Sequence, residues 1–593
     1  MRPVSGSARS FAQDRSGNIA IILGLSFAPV VMMIGAGVDY GRIAAARGSL
    51  QQAADAAVLA VAKGIVASTT DQQARSQAQV YLTTNYRNGA ATVASATIAK
   101  DRLSLCITAQ AQVATTIMQI ARTSTMSTQV TACAALQGGI SPTDTYEIAL
   151  VLDNSGSMRR STSGTTKMEA LRTAATSFVN TMFTKAPSRV KFAITPFAAG
   201  VVAVDPTVTS NRALSWIDLA GANSQHWVAF SNGEVDGKGN VDPVKARTDA
   251  TAAGFTNRFD IFTKLKAIKS SWDWGGCFEQ PVYPLNVADT TPTTLDPETL
   301  FVPYLAPDEP DTGYDNDYID DDGSTTTTTR TSSGKKGKGK KTTVTSSTCS
   351  DVASGDWSQL THVCKYKVTA AAGGGDGPNS FCPDSSTQTI MQLNATQTTV
   401  TTTIGQLVAN GNTNLHEGFM WGWRTISPNP PFSAGRAYAT ANNHKVIVFM
   451  TDGFNNWSSA PDTVTGSSYE AAGYYSYNGT KNKRFPDGTA GNKIDYQTAL
   501  NAASGSWSDY HDKSREMQDE LTLESCANAK AAGVEIFTIG FSIPSDPIDD
   551  QGLTLLKNCA TNKDHYFAAT DAASLNLAFS TIGTGLGSLR LTQ

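Results

Sequence analysis

The chain has 593 residues, too many for one ordinary domain, so about three or four structural units are expected. Its formal net charge is −4 and 17% of its residues are charged, which leaves no basic field for binding nucleic acid. Hydrophobic residues make up 40% of the chain, enough to supply a sizeable buried core.

An uncharged stretch at residues 19–38 is long enough to cross a bilayer as a helix. Arginines precede it at positions 2, 9 and 15, which favours a cytoplasmic N-terminus, and arginines also follow it at positions 42 and 47. The alternatives are a cleaved secretory peptide, whose apolar region usually has about 7–15 residues, and a buried helix of a soluble protein. We expect a membrane anchor, with the lipid bilayer as one partner.

Beyond this stretch, apolar side chains at helical spacing continue the helix over residues 40–65. Three segments rich in β-branched residues follow and predict the strands of a small β-rich region: residues 92–99, 103–113 and 128–135.

From residue 144 onward, apolar runs of strand length alternate with amphipathic helical segments. The predicted strands are residues 146–152, 190–195, 446–450 and 535–541, and the predicted helices are residues 167–183, 415–423 and 515–532. This alternation is typical of an α/β domain with a mostly parallel sheet flanked by helices.

Two of the predicted strands are followed by an aspartate, Asp153 and Asp452. Asp153 opens the sequence D-N-S-G-S, in which Asp153, Ser155 and Ser157 alternate, so a curved loop can turn all three side chains inward. In an open parallel sheet, ligands bind beyond the carboxyl ends of the strands. Hydroxyl and carboxylate oxygens suit Mg²⁺, Mn²⁺ or Ca²⁺. The alternative is a Ser/Gly-rich turn that binds nothing.

Together with Thr413, these residues resemble the metal-ion-dependent adhesion site of von Willebrand factor A domains. The resemblance implies a Rossmann-like fold and a divalent cation whose ligands would be Asp153, Ser155, Ser157, Thr413 and Asp452. Both serines and one aspartate would bind the metal directly, and the others through water. The partner would be a protein that offers an acidic residue. Replacing Asp452 by Ala would weaken metal binding and, by relieving repulsion between two carboxylates, slightly stabilise the metal-free domain.

The N-terminal sequence resembles that of TadG-like proteins, which belong to the bacterial machinery that assembles Flp-type pili. The similarity is carried by R-S-G-N-I-A at residues 15–20, V-D-Y-G-R at 38–42, L-Q-Q-A-A-D-A-A at 50–57, and the segments 559–567 and 586–591. It implies a single-pass inner-membrane protein with a cytoplasmic N-terminus and a periplasmic bulk, which works with pilus or Tad assembly components. Ile22 stands where processed pilins usually carry Glu, so a retained anchor is expected.

Two insertions interrupt the α/β pattern, at about residues 205–385 and 455–513. The first holds eight acidic residues within residues 308–322, whose spacing does not fit an EF-hand, so a solvated loop is favoured over a calcium loop. Residues 324–347 are rich in Ser, Thr and Lys and predict disorder. In the second insertion, a rim around the site that carries Tyr469, Tyr474, Tyr475 and Tyr477 would suit protein contacts, and an ordinary polar loop is the alternative.

The cysteines stand at positions 106, 133, 277, 349, 364, 382, 526 and 559. An even number beyond a membrane span is typical of disulfides in the periplasm, and no C-x-x-C pair suggests zinc. The domain partition groups Cys106 with Cys133 and places four cysteines in the first insertion. We expect Cys526 to bond Cys559, and buried free thiols are the alternative.

Neither G-x-S-x-G nor H-E-x-x-H occurs in the sequence, so no catalytic residue is assigned. His416 is expected to pack or to form hydrogen bonds near the Thr413 loop. We expect no enzyme but a membrane-anchored, metal-dependent protein-binding module that assists Flp/Tad-type pilus assembly at the cell envelope. The alternatives are a secreted or pilus-associated adhesin that uses the same metal site, and a metal-dependent hydrolase, for which no general base is evident.

The predicted organisation is a cytoplasmic segment (1–17), a transmembrane helix (18–38), a periplasmic helix continuing the anchor (39–66), a β-rich region with a linker (67–143), and a von Willebrand A domain with its insertions (144–593).

Overall fold

The computed structural model describes residues 16–62, 65, 69–99, 104–135, 144–162, 164–230, 242–309, 316–319, 363–367, 375–460, 466–474, 476–477, 480–481 and 507–586. The chain divides into two compact units, residues 1–143 together with 584–593, and residues 144–583. The disorder predicted at residues 324–347 lies outside the described residues.

The first unit combines two helices with three strands that lie where β-branched segments predicted them. Its elements are α1 (Ser16–Ala62), α2 (Asp71–Asn85), β1 (Ala91–Ile98), β2 (Ser104–Ala114) and β3 (Thr125–Ala135). The strands form an antiparallel sheet in the order β1-β2-β3. Leu50, Ala54, Val58 and Val61 of α1 are buried at helical spacing in a core shared with the sheet. The alanines of this helix allow its backbone to lie close to the strands.

Asp39, in the V-D-Y-G-R segment of α1, fixes the turn that follows β2. Its carboxylate accepts hydrogen bonds from the backbone N–H groups of Thr116 (2.8 Å), Ile117 (3.0 Å) and Met118 (2.9 Å). Hydrogen bonds to an ionised carboxylate are charge-assisted and therefore stronger than bonds between neutral groups. This part of the family-like motif therefore has a structural role within the first unit.

The predicted transmembrane helix is not found in the described part of the chain, where no helix combines the length and apolar character needed to cross a membrane. Residues 18–38 lie within α1, but several of their side chains, including those of residues 18–25, lie outside the description.

The second unit is built on a six-stranded sheet, with short hairpins at its periphery. Its strands are β4 (Thr145–Asp153), β5 (Ser161–Thr162), β6 (Thr165–Thr166), β7 (Val190–Phe197), β8 (Met391–Asn394), β9 (Asn443–Thr451), β10 (Ser459–Ala460), β11 (Gly466–Ser467), β12 (Ser476–Tyr477), β13 (Thr480–Lys481), β14 (Glu535–Phe541) and β15 (Tyr566–Ala569). The order in the large sheet is β15-β14-β9-β4-β7-β8, and all neighbours are parallel except β7 and β8. The expected mostly parallel α/β sheet is confirmed, and its antiparallel edge makes it a mixed sheet.

Chain order places a switch point at β4, because β7 pairs with one side of it and β9 with the other. Alternate residues of β4 are buried on opposite faces of the sheet. Ala149 and Val151 share a core with the helix that begins at Leu415, while Ile148 and Leu150 are buried outside that cluster. The crevice beyond the carboxyl ends of β4 and β9 is thus the expected ligand position.

The helices of the second unit are α3 (Lys167–Lys185), α4 (Pro243–Ala253), α5 (Arg258–Ile268), α6 (Ser385–Gln388), α7 (Gln397–Gln406), α8 (Leu415–Thr425), α9 (Trp507–Ala531), α10 (Asp550–Cys559) and α11 (Ala572–Gly585). Helix α8 lies directly on the sheet because two of its residues are glycines. A Cβ on Gly418 would collide with the ring of Phe197, and a Cβ on Gly422 would collide with Val151.

Part of the first insertion folds against α8 and is buried. Trp216 contacts Phe278 with ring centroids 4.9 Å apart, and Phe301 contacts Trp421 of α8 at 5.2 Å. These side chains belong to the same hydrophobic core as the adjacent face of the sheet. The described portion of the insertion is therefore a layer of the domain.

Two expectations for the insertions are wrong where residues are described. Asp308 and Glu309 are buried, not solvated, because the Asp308 carboxylate lies 3.0 Å from Lys365 Nζ. Tyr469 and Tyr474 are also buried, and the Tyr474 hydroxyl donates to Glu309 Oε1 at 2.9 Å, so neither tyrosine forms an exposed rim. Residues 310–315 and 320–322 of the acidic segment lie outside the described residues, as do Tyr475 and the side chain of Tyr477.

The predicted disulfides are confirmed. Cys106 bonds Cys133 between β2 and β3, and Cys526 of α9 bonds Cys559 of α10. Within the first insertion, Cys277 bonds Cys382 and Cys364 is also disulfide-bonded. No free cysteine is found among the described residues.

Candidate metal site

The loop after β4 is held by the side chain at its start. Asp153 ends β4, and a 3₁₀ helix begins three residues later at Gly156. One carboxylate oxygen of Asp153 accepts from the backbone N–H of Ser155 at 2.7 Å, and the other accepts from Thr451 Oγ1 at 2.6 Å. Because Thr451 ends β9, this second bond ties the loop to the neighbouring strand. Asp153 is fully buried, so its position is fixed by these donors.

Serine hydroxyls connect this loop to Asp452. The hydroxyl oxygens of Ser155 and Ser157 lie 3.0 Å apart, and Ser157 Oγ donates to Asp452 Oδ1 at 2.7 Å. Ser155 and Asp452 are buried, and Ser157 is partly exposed. The structure therefore brings these three predicted residues together, although Asp452 lies 295 positions from Ser157 in the chain.

Thr413 reaches the same region on a third loop, which precedes α8. The N–H of Gly156 donates to the carbonyl of Gly411 at 2.8 Å, so this loop lies against the serine loop. A Cβ placed on Gly453 would be 3.5 Å from Thr413 Oγ1, so the Thr413 side chain also lies against the loop that carries Asp452. All three predicted segments meet at the carboxyl edge of the sheet.

Two carboxylates, those of Asp153 and Asp452, lie close to each other in the site. Burial, and then the nearby Asp452 carboxylate, raise the pKa of Asp153 well above its usual range. Among the described residues, no group of three or more His, Cys, Asp or Glu side chains is arranged to hold a metal. The site instead offers two carboxylates and three hydroxyls. Such hard oxygen donors fit a divalent cation like Mg²⁺, which usually takes only one or two carboxylates. The metal itself stays a prediction.

A buried lysine at this site was not predicted from the sequence. Lys167, the first residue of α3, places its Nζ 2.8 Å from Asp452 Oδ2 and 2.7 Å from Asp546 Oδ2. Asp546 follows β14 and also forms an ion pair with Arg160. The available signal was the position of Lys167, because a cation is unfavourable at a helix N-terminus and so needs a local partner.

Asn455 was also missed, and it positions the Thr413 loop. Its Oδ1 accepts from the backbone N–H of Leu415 at 2.7 Å, and its Nδ2 donates to Asp519 Oδ1 of α9 at 2.7 Å. The first turn of α8 is thereby joined to α9. An Asn three residues after Asp452 resembles any polar loop residue, so its sequence gave no signal.

His416 has the structural role expected of it. It is fully buried, its Nε2 lies 3.0 Å from the carbonyl oxygen of Asn286, and its Nδ1 lies within hydrogen-bonding distance of Gln280 Nε2. Burial is the main cause that lowers the pKa of His416 to about 3. Its side chain is committed to the interior contacts between α8 and the first insertion.

An α/β sheet with the D-x-S-x-S, Thr and Asp loops converging at its carboxyl edge is the arrangement expected of a von Willebrand A-type domain. Residues 17–64 match the family described as putative Flp pilus-assembly TadE/G-like, which confirms the resemblance of the N-terminal sequence to TadG-like proteins. The match covers a small part of the chain, from the start of α1 to just beyond its end. No curated protein matches the sequence.

Several solved structures are similar to this chain at low identity. The pilus adhesin SpaC from Lactobacillus rhamnosus GG is 10% identical, with 83% of this chain and 34% of that chain covered and a TM-score of 0.30. The PilB minor pilin from Streptococcus sanguinis is 10% identical, with 83% of this chain and 77% of that chain covered and a TM-score of 0.32. The vWF domain of the pilus tip protein Mfa5 from Porphyromonas gingivalis is 11% identical, with 76% of this chain and 98% of that chain covered and a TM-score of 0.29. This chain thus spans about a third of the SpaC structure, and scores this low assign neither fold nor function.

Proposed function

We propose that the protein is a metal-dependent protein-binding module that assists Flp/Tad-type pilus assembly at the bacterial cell envelope. The observation that carries this proposal is the convergence of the Asp153, Ser155, Ser157 and Asp452 oxygens at the carboxyl edge of the sheet. The family match at residues 17–64 supports the link to pilus assembly. A bound Mg²⁺, Mn²⁺ or Ca²⁺ would supply residual positive charge that attracts an acidic side chain of a partner protein.

The residues of the chain prepare the site for that role. Thr451 and the Ser155 N–H hold Asp153 in place, and Ser157 orients one oxygen of Asp452. Ser157 is the most exposed of these side chains, so it marks the side from which a partner reaches the site. These groups can bind and orient an oxygen ligand of a partner, which suits a function in recognition.

The proposal includes a membrane anchor at residues 18–38, with the bulk of the chain outside the cytoplasm. Its support is the uncharged stretch at residues 19–38 and the exposure of apolar side chains on α1, 66% for Phe27 and 68% for Met33. Carbonate extraction tests it: the full chain should stay in the membrane fraction, and a chain lacking residues 1–38 should not. Release of the full chain would remove the anchor from the proposal.

Titration calorimetry with Mg²⁺ and Mn²⁺ tests the metal site. Wild type should bind at least one ion, and Ser155→Ala and Asp452→Ala should each weaken binding at least about tenfold, because each removes an oxygen donor. Ser161→Ala is the matched control, since this exposed serine lies just beyond the 3₁₀ helix. If wild type binds neither ion, or both site variants bind as tightly as wild type, the metal-site assignment is wrong.

A pull-down from envelope extracts with the full chain tests the partner. Captured proteins that belong to the site should be lost when the divalent cation is chelated, and should also be lost with Ser155→Ala but kept with Ser161→Ala. Capture that is indifferent to both the cation and Ser155 would contradict recognition through this site.

A further inference from the structure

Lys167 is a buried cation in direct contact with a predicted metal ligand, and the metal hypothesis gives it no role. Its side chain is fully buried, and its Nζ lies 2.8 Å from Asp452 Oδ2 and 2.7 Å from Asp546 Oδ2. Asp452 follows β9 and Asp546 follows β14, two neighbouring parallel strands. The ammonium therefore joins two loops at the carboxyl edge of the sheet, directly beside a predicted metal ligand.

Helix formation does not explain this lysine. A cation at the first position of a helix opposes the helix dipole, which favours anions there. The N-terminus of α3 is already capped by Thr166, whose hydroxyl accepts from the Glu169 N–H at 3.1 Å. A buried ammonium is also costly unless it is paired. Its two carboxylate partners are therefore the reason that a lysine fits at this position.

The two oxygens of Asp452 have different partners. Oδ2 accepts from Lys167 Nζ, and Oδ1 accepts from Ser157 Oγ. Lys167 thus fixes the rotation of the carboxylate and turns one oxygen toward the serines. It also places a positive charge on the far side of a ligand that a divalent cation would share.

We propose that Lys167, through the positive charge that it places next to Asp452, keeps the affinity of the site for a divalent cation low. This inference rests on the proposed function. Like charges repel strongly where little water screens them, and the ammonium is fully buried. A cation that the site holds weakly keeps more positive charge available to attract a further oxygen ligand. The carboxylate of the partner then completes the binding, so metal and partner bind the site cooperatively.

The decisive variants change the charge next to Asp452 in opposite directions. Lys167→Met removes the positive charge and keeps an unbranched apolar stem, and it should tighten Mn²⁺ binding at least about tenfold, or about 1.4 kcal/mol. Asp546→Asn removes a negative charge and should weaken Mn²⁺ binding about threefold or more. The double variant restores the net charge of wild type, so its Kd should return to within about threefold of the wild-type value. Calorimetry with Mn²⁺ alone supplies the readout.

Thermal unfolding of each variant without metal separates this role from a purely structural one, which would lower the unfolding temperature and leave the Kd of the folded protein unchanged. If Lys167→Met binds Mn²⁺ no more tightly than wild type, the inference is overturned and the metal site still stands. If neither wild type nor Lys167→Met binds Mn²⁺, the metal site itself is wrong. Should Lys167→Met fail to fold, Asp546→Asn decides, and unchanged or tighter binding by that variant overturns the inference.

Discussion

Glu470 shows how a single buried carboxyl group can make the stability of the second unit depend on pH. It is 1% exposed, and its Oε1 accepts from the Ser458 N–H at 2.8 Å and from Asn412 Nδ2 at 2.9 Å. Burial is the main cause that raises the pKa of Glu470 to about 8. The folded protein therefore favours the neutral form of Glu470. Its contribution to stability is fully present below the pKa that the group has in the unfolded chain, and it is lost as pH rises toward the folded-state pKa of about 8.

Glu470→Gln should remove this pH dependence. The amide is neutral at every pH, and its oxygen can accept the same two hydrogen bonds. Relative to wild type, the variant should gain stability progressively between about pH 5 and 8, as measured by urea unfolding at several pH values. Glu520→Gln, at an exposed position on α9, is the control and should stay parallel to wild type. A constant difference between Glu470→Gln and wild type across this range would refute the argument.

The residues around Asp452 differ in whether the sequence could predict them. The two aspartates could be found because they come at the ends of predicted strands, and the two serines because they alternate with Asp153. Thr413 was found through the resemblance to von Willebrand A domains. Lys167 was missed because the partners that its helix-terminal position requires lie 285 and 379 positions away. This contact also reverses the expected sign for Asp452→Ala. Two facing carboxylates alone predicted a gain in stability, but the variant would leave Lys167 with Asp546 only, and breaking a buried pair is destabilising.

At the level of elements, the close approach of α8 to the sheet positions the Thr413 loop, and two glycines permit it. Gly422→Ala would press a methyl group into Val151 of β4, and overpacking of this kind costs about 1–3 kcal/mol. Gly405→Ala is the matched control, because no atom lies within 4 Å of its added Cβ. That variant should stabilise by about 0.5–1 kcal/mol, as expected for Ala in a helix. Equal effects of the two variants in urea unfolding would contradict the packing argument.

Strands were more predictable than helix ends. The segment 535–541 was predicted to the residue, because a strand buried on both faces is a continuous apolar run bounded by polar residues. In contrast, α9 begins at Trp507, eight residues before the predicted start. Trp507 and Tyr510 are the only large apolar residues in its first two turns, among Ser, Asp, His and Lys, which is too short a pattern to predict a helix. The apolar spacing therefore predicted residues 515–531 of this helix and missed residues 507–514.

For the whole molecule, the packing of the first insertion was the least predictable feature. Its aromatic side chains contact Trp421, which lies more than a hundred residues further along the chain than Phe301. No local pattern in the sequence announces such a contact. The cysteines were informative in contrast, because their even number and their positions in predicted elements limited the pairings. The bond between Cys526 and Cys559 follows from their places on the helices before and after β14.

This disulfide should contribute to the stability of the second unit. The bond joins residues 33 positions apart, and closing a loop of that size in the unfolded chain stabilises by about 3–4 kcal/mol in the chain-entropy model. Replacing both cysteines by Ala should lower the free energy of unfolding by about that amount.

Tryptophan fluorescence is a suitable readout, because all nine tryptophans lie within the second unit. The matched control removes Cys106 and Cys133, which lie in the first unit, and it should leave the fluorescence transition in place. An unchanged transition without Cys526 and Cys559 would mean that this bond does not restrict the unfolded chain as the loop size predicts.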